Sequence, residues 1–267
     1  MKVRAKKSLG QHFLKNKNVA ERIALSLMFG YKDIDVDAGE KARVLEVGPG
    51  TGALTEFLLK REDCELKVVE IDRDSIAYLS ANYPQLSGRI IEGDFLDLEL
   101  DKIFQERFSL IGNFPYNISS QIFFKVLDYK NLIPEVVCMI QREVAVRLAS
   151  GPGNRDYGIL SVLLQVWYNI EYLFTVDENQ FSPPPRVKSA VIRVTRNSRE
   201  HLECSEELFK KIVKMTFNQR RKTIKNSLER MVPTSESVKL PYIGKRPEQL
   251  GVEQFIELTN AVSAILN

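Results

Sequence analysis

Hydrophobic runs alternate with helical patterns along the first two-thirds of the chain. Several runs are apolar without alternating polar positions, which is typical of strands covered on both faces of a sheet. Segments with apolar residues at helical spacing lie between them. We therefore predict strands at Arg43–Val47, Leu66–Ile71, Arg89–Glu92, Phe108–Gly112, Glu135–Ile140, Ile170–Thr175 and Ser189–Thr195, and helices at Gly52–Lys60, Asp74–Asn82, Ser119–Asp128, Arg142–Ser150 and Gly158–Tyr168.

This alternation favours an α/β fold with a doubly wound, mainly parallel sheet. After about Asn197 the pattern is helical only, with helices predicted at Glu206–Phe217, Arg221–Met231 and Val252–Leu266. We therefore expect an α/β domain over residues 1–197 and a small helical domain over residues 198–267.

The net charge of the 267 residues is +3, but it is unevenly distributed. Residues 1–22 carry a net charge of +6 and residues 210–230 carry +7, which leaves −10 on the rest of the chain. Two basic segments on an acidic protein indicate a polyanionic partner such as nucleic acid. For either segment alone, a solvated surface is the competing interpretation.

The composition and the spacing of the cysteines argue against several classes of site and segment. Cys64, Cys138 and Cys204 are widely separated, form no Cys-x-x-Cys pair and are accompanied by only two histidines. We therefore predict no metal, no disulfide framework and a cytoplasmic location. Because no run of 18 apolar residues occurs and the basic N-terminus has no apolar core behind it, we expect neither a membrane span nor a secretory signal.

A glycine-rich segment, Val44-Leu-Glu-Val-Gly-Pro-Gly-Thr-Gly52, joins the first predicted strand to a helix. Gly48 and Gly50 allow a tight turn in which the backbone approaches a ligand. At the tip of the second strand, Glu70 is placed to accept hydrogen bonds from both ribose hydroxyls of a nucleotide cofactor. The loop alone does not exclude NAD or a purely structural turn, since Ala53 completes the looser dinucleotide pattern Gly-x-Gly-x-x-Ala.

Asp94 and Phe95 follow the third predicted strand. An Asp at this position can bond an adenine amine, and a Phe can cover the ring. The signal is weak alone, because Gly-Asp before a loop is also a common turn.

The segment Asn113-Phe-Pro-Tyr116, after the fourth strand, predicts chemistry on an exocyclic adenine amine. That amine is a poor nucleophile because its lone pair is delocalised into the ring. The Asn113 side-chain oxygen and the Phe114 carbonyl can accept its two hydrogens, since Pro115 keeps the preceding residue extended. Tyr116 offers a flat surface for an unstacked base. Such a site works by positioning and electrostatics, and water takes the proton.

This segment resembles the Asn-Pro-Pro-Tyr and Asn-Leu-Pro-Tyr motifs of adenine-amine methyltransferases. With Lys7–Leu14, Glu46–Gly50 and Phe181–Ser189, it resembles the KsgA (RsmA) family of rRNA adenine dimethyltransferases, over residues 7 to about 228. The resemblance implies a Rossmann-like, seven-stranded, S-adenosylmethionine-dependent methyltransferase fold with a small C-terminal all-helical domain that binds RNA.

The reaction implied by the resemblance is transfer of two methyl groups to each of two adjacent adenosines near the 3′ end of small-subunit (16S) rRNA. The implied partner is the small ribosomal subunit, and we expect a monomer. The resemblance places S-adenosylmethionine against a set of residues along the chain, namely His12, Leu14, Gly48, Gly50, Glu70, Ile71, Asp94, Phe95 and Asn113. Two residues depart from the family: His12 replaces a frequent Asn, and Phe114 replaces Leu or Ile.

Phe181, before three prolines, has two interpretations: it closes over the target adenine opposite Tyr116, or it is a core residue. Phosphate contacts are expected from cations in the N-terminal arm and at the start of a C-terminal helix. These cations are Lys2, Arg4, Lys6, Lys7, Arg220, Arg221, Lys222 and Lys225.

Three alternatives remain open at this point. An Erm-type enzyme that methylates large-subunit rRNA shares the catalytic core. A ribosome-assembly or transcription factor that has lost catalysis would not need an intact Asn113–Tyr116 segment and Glu70. An NAD-dependent oxidoreductase leaves Asn113–Tyr116 without a role.

Overall fold

The computed structural model describes residues 3–29 and 41–266. Its internal contacts divide the chain into two compact units. The first contains residues 1–145 and 169–196, and the second contains residues 146–168 and 197–267. The prediction of domains at 1–197 and 198–267 differs from this division at residues 146–168. That segment belongs to the second unit, where Tyr157 packs edge-on against Phe217 with ring centroids 6.1 Å apart.

A seven-stranded sheet forms the centre of the first unit. Its strands are β2 (Ala42–Val47), β3 (Cys64–Glu70), β4 (Ile90–Glu92), β5 (Ser109–Asn113), β6 (Glu135–Gln141), β7 (Tyr168–Val176) and β9 (Ser189–Arg196). Their order is β4-β3-β2-β5-β6-β9-β7. The strands β4, β3, β2, β5 and β6 run parallel to one another, and β9 is antiparallel to β6. The predicted α/β, Rossmann-like, seven-stranded fold is confirmed, and each predicted strand matches to within two residues.

The central strands are buried on both faces, as their unbroken apolar runs predict. Leu45 on β2, Leu110 on β5 and Val136 on β6 have no exposed surface. The carboxyl ends of parallel strands lie at the same edge of a sheet. The loops that follow β2, β3, β4 and β5 are therefore held next to one another at that edge.

The helices are α1 (Lys17–Leu25), α2 (Thr55–Leu58), α3 (Arg73–Asn82), α4 (Ser119–Asp128), α5 (Arg142–Ala149), α6 (Ile159–Gln165), α7 (Glu206–Asn218), α8 (Ile224–Ser227), α9 (Thr234–Ser237) and α10 (Val252–Leu266). Sequence reasoning missed α1, although Asn16 caps it by accepting from the Val19 N–H at 3.2 Å. It also missed a two-stranded sheet that pairs β1 (Phe13–Leu14) with β8 (Phe181–Ser182).

In the second unit, α7 and α10 pack through Phe209, Phe217 and Phe255. The predicted helix Arg221–Met231 is wrong in its extent, because only Ile224–Ser227 is helical. The N–H groups of Ile224 and Lys225 donate to the carbonyls of Lys245 and Ile243, which provides partners for the first turn and fixes where the helix begins.

Candidate active site

A pocket opens at the carboxyl edge of the parallel strands, as expected for ligand sites in such sheets. It is bounded by the loops that follow β2, β3, β4 and β5, and by residues Leu9–Leu14 of the N-terminal arm. All nine residues predicted to contact the cofactor line it, together with Phe114, Pro115 and Tyr116. The strands therefore bring together residues that are up to 104 positions apart in the sequence.

The carboxylate of Glu70 is the most heavily bonded group in the pocket wall. Its Oε2 accepts from the Gly50 N–H at 2.9 Å, and its Oε1 accepts from the N–H groups of Ile71 and Asp72, also at 2.9 Å. The side chain is only 4% exposed. Burial raises the pKa of Glu70, and the three N–H donors oppose that rise. The carboxylate thus joins the loops after β2 and β3. Three of its about four lone-pair sites are used, so Oε2 can still accept a further hydrogen bond.

Gly50 shows why this loop needs glycine. Its φ of +56° lies in the left-handed region, and a Cβ at this position would lie 2.9 Å from Cε1 of Phe13. Any side chain here would therefore push the N-terminal arm away from the loop.

Glu46 is a second buried carboxyl in the pocket wall, and sequence reasoning assigned it no role. It is 1% exposed, and its Oε2 accepts from the Thr55 hydroxyl at 2.7 Å. Burial, with a smaller contribution from the charge of Glu70, raises the pKa of Glu46 to about 8. The available signal in the sequence was a carboxylate between apolar strand residues, two positions before Gly48.

Asp94 and Phe95 occupy a tight turn after β4. Asp94 Oδ1 accepts from the Leu96 N–H at 2.9 Å, and Phe95 is 3% exposed. Lys125, on α4, donates from Nζ to the carbonyls of Leu96 and Leu98 and so clamps this turn. Burial lowers the pKa of Lys125. Nothing in the local sequence distinguished Lys125 from a surface lysine.

The Asn113–Tyr116 segment continues from β5 into the pocket. Asn113 Nδ2 donates to the carbonyl of His12 at 2.9 Å. The Phe114 side chain is buried, and its N–H donates to the Met139 carbonyl at 3.0 Å. The Tyr116 hydroxyl bonds the Ser189 hydroxyl, and burial raises the pKa of Tyr116. The segment is therefore held by its neighbours on both sides.

His12 lies beside the tyrosine. Its imidazole stacks on the Tyr116 ring with centroids 5.5 Å apart, and Nδ1 lies 2.8 Å from the Pro183 carbonyl. The imidazole thus covers one face of the ring that was predicted to receive the target base. The contact of His12 with a cofactor stays a prediction.

Phe181 does not reach the pocket. It is 1% exposed, pairs with Leu14 in the small sheet and belongs to the hydrophobic core that includes Ile23 and Met139. The structure therefore corrects the assignment of Phe181 to the catalytic set and favours the competing interpretation as a core residue. Because its strand partner Leu14 belongs to the N-terminal arm, Phe181 helps to attach that arm to the hydrophobic core.

The predicted phosphate-binding cations differ in their surroundings. Lys6 is ion-paired with Asp72 and with Asp74, the latter at 2.8 Å, whereas Lys7 is exposed. Lys2 lies outside the described residues.

In the second unit, Arg220 and Lys222 lie in the turn after α7 and not at a helix start. Arg220 Nη2 donates to the Asn154 carbonyl at 3.3 Å, and Lys222 Nζ lies 3.6 Å from Glu229 Oε1. Arg221 is exposed and Lys225 is half-buried. Their contact with RNA stays a prediction.

Comparison with known proteins identifies the family. Residues 2–261 match the family model described as ribosomal RNA adenine dimethylase. The chain belongs to this family. The resemblance inferred from the sequence motifs is thereby confirmed, and so is the enzyme class, an rRNA adenine dimethyltransferase.

The dimethylase has close relatives with curated names. The ribosomal RNA small subunit methyltransferase A of Parabacteroides distasonis is 56% identical, over 96% of this chain and 93% of that protein. The protein of the same name from Bacteroides thetaiotaomicron is 54% identical, over 99% and 96%.

Solved structures share the fold. The 23S rRNA methyltransferase ErmE is 26% identical, with a TM-score of 0.69 over 94% of this chain and 99% of that chain. A dimethyladenosine transferase from Plasmodium falciparum is 23% identical, with a TM-score of 0.72 over 92% and 96%. The latter likeness supports the fold alone.

Within the described parts of the dimethylase, no helix is long and apolar enough to cross a membrane. Across the same residues, no three His, Cys, Asp or Glu side chains are grouped so that they could hold a metal ion.

Replacing Glu70 with Ala is expected to affect both stability and cofactor affinity. Three backbone N–H groups lose their acceptor, and two of these hydrogen bonds are buried, so the free energy of unfolding of the dimethylase should fall by about 2 kcal/mol or more. S-adenosylmethionine binding should weaken by about 1.5–3 kcal/mol through lost hydrogen bonds to the ribose. Urea unfolding and calorimetry measure the two effects, with Glu62→Ala, an exposed carboxylate, as the matched control. Unchanged affinity in folded Glu70→Ala protein would refute the cofactor assignment.

The stability of the dimethylase should depend on pH through Glu46. Between about pH 4.5 and 8 the folded protein keeps a proton that the unfolded chain has lost, so stability falls as pH rises. Relative to Glu46→Gln, the wild type should lose up to about 1.4 kcal/mol per pH unit within this window. Urea unfolding at several pH values measures the difference, and parallel curves for the two proteins would contradict the raised pKa.

Proposed function

We propose that this enzyme transfers methyl groups from S-adenosylmethionine to the exocyclic amines of two adjacent adenosines near the 3′ end of small-subunit rRNA. The observation that carries the proposal is the position of Asn113–Tyr116 in the wall of the pocket that Glu70 organises. A nucleotide-binding wall and an amine-binding segment then share one cavity.

The pocket residues fit S-adenosylmethionine. Glu70 supplies acceptors for ribose hydroxyls, while Asp94 and Phe95 supply an acceptor and a flat apolar surface for an adenine ring. The Glu70 carboxylate makes this wall acidic, which favours a cofactor that carries positive charge over a dinucleotide with a pyrophosphate. When bound, S-adenosylmethionine supplies a methyl group on a sulfonium.

The target amine is held and oriented by this chain. Asn113 Oδ1 and the Phe114 carbonyl accept its two hydrogens, which localises the nitrogen lone pair and directs it at the methyl group. After the first transfer one hydrogen remains, so either acceptor can hold the amine for the second. Water takes the protons.

The target base stacks on Tyr116. Because the His12 imidazole covers one face of that ring, the base has to displace the imidazole or use the opposite face. A base inside a duplex cannot reach the pocket, so the adenosines must be single-stranded or extruded.

The choice of the small subunit rests on the relatives. Identity to proteins named small subunit methyltransferase A reaches 56%, against 26% to the 23S rRNA enzyme ErmE. Since any adenine amine fits between Asn113 and Tyr116, discrimination must come from RNA shape. We propose that Lys7, Arg221 and the other cations of the two basic segments contact rRNA phosphates, and that the enzyme acts as a cytoplasmic monomer without metal.

Purified small and large ribosomal subunits that lack methylation test the proposal. Small subunits should accept labelled methyl groups, digestion should yield dimethyladenosine, and large subunits should stay unlabelled. Asn113→Ala should reduce the single-turnover rate by at least about 100-fold with little change in RNA affinity, because the lost acceptor acts mainly in the transition state. Label in the large subunit, or monomethyladenosine alone, would refute the proposed substrate.

A further inference from the structure

The N-terminal arm is tied to the cofactor side of the pocket through Gln11. Gln11 Oε1 accepts from the Lys6 N–H at 2.9 Å, and Gln11 Nε2 donates to Asp72 Oδ2 at 3.1 Å. The Gln11 amide therefore closes the turn of the arm and attaches that turn to the loop after β3, beside the ion pairs of Lys6 with Asp72 and Asp74.

The acceptor on that loop is itself fixed. Asp72 is 2% exposed, its N–H donates to Glu70 Oε1 at 2.9 Å, and its carboxylate accepts from the Asp74 N–H and the Ser75 hydroxyl, each at 3.2 Å. The position of Asp72 is thus set by the same carboxylate that organises the pocket wall.

The residue after Gln11 contacts the amine-binding segment. The His12 carbonyl accepts from Asn113 Nδ2 at 2.9 Å. A carbonyl oxygen only accepts, so the amide nitrogen of Asn113 must face the arm and Oδ1 must face away from it. The arm therefore selects between the two orientations of the Asn113 amide, and only one of them presents an acceptor elsewhere.

We propose that Gln11 is a positioning residue for methyl transfer: by attaching the arm to Asp72, it keeps the His12 carbonyl where it orients Asn113 Oδ1 toward the target amine. This inference rests on the proposed function. It also couples the cofactor side of the site to the amine-binding side. The loop after β3 fixes the position of the arm, and the arm fixes the orientation of the Asn113 amide.

Gln11→Leu removes both hydrogen bonds at similar side-chain size. The single-turnover rate at saturating cofactor and small-subunit RNA should fall about tenfold or more, because a small displacement of a positioning group is costly. Hydrogen exchange of the Leu9 and Gly10 amides, which donate to the Lys6 and Lys7 carbonyls, should accelerate without cofactor or RNA present. Gln105→Leu makes the same chemical change at an exposed position and should alter neither quantity.

A rescue pair separates positioning from general damage. Gln11→Glu cannot donate to Asp72 and places two carboxylates together, so it should behave like Gln11→Leu. Adding Asp72→Asn rebuilds the hydrogen bond with donor and acceptor exchanged, while Lys6 loses its ion pair with residue 72 but keeps the one with Asp74. The double variant should recover most of the lost rate and the slow amide exchange.

Three results would overturn the inference. One is a Gln11→Leu rate within twofold of the Gln105→Leu rate despite faster arm exchange. Another is a Gln11→Leu defect that occurs only below saturating cofactor and disappears at saturation, which would mean that Gln11 acts on cofactor binding. The third is a folded double variant that recovers nothing. If the wild type itself labels no small subunits, the proposed function fails instead, and the exchange comparison still decides whether Gln11 holds the arm.

Discussion

Three backbone N–H groups, from two different loops, converge on the buried carboxylate of Glu70. In the loop after β2, Gly48, Gly50 and Gly52 have no side chains that could fix the backbone, and the Gly50 N–H contact holds the loop against the end of β3. The same carboxylate sets Asp72, to which the N-terminal arm is attached. The carboxylate that we propose binds the cofactor ribose therefore also holds together the loops that form this side of the pocket.

The proposed chemistry depends on how the amine and the cofactor are positioned more than on reactive side chains. Contacts between segments that are distant in the sequence hold the positioning residues in place. Lys125 clamps the Asp94 turn from α4, the His12 carbonyl orients Asn113, and Ser189 bonds the Tyr116 hydroxyl. Glu46 adds a buried carboxyl whose raised pKa keeps a proton in the wall near neutral pH. Lys125, the His12 carbonyl and Ser189 thus each constrain a residue of the site.

The sheet and the lining of the pocket were predictable because their signals are local. Unbroken apolar strands, a glycine loop and an acidic strand tip specify the edge at which Glu70 and Asn113 meet. Phe181, Lys125 and Gln11 were not predictable, because their roles depend on partners more than 25 positions away: Leu14, the Leu96 and Leu98 carbonyls, and Asp72. The predicted helix Arg221–Met231 is wrong in its extent for a related reason, since contacts from Ile243 and Lys245, outside the segment itself, set the start of α8.

A crystal structure with S-adenosylhomocysteine, the product form of the cofactor, tests the central claim most directly. The account predicts both ribose hydroxyls within hydrogen-bond distance of the Glu70 carboxylate, with the adenine between Asp94 and Phe95. It also predicts that the sulfur faces Asn113, with the Asn113 amide still bonded to the His12 carbonyl. A ligand whose ribose makes no contact with Glu70, or whose sulfur faces away from Asn113, would contradict it.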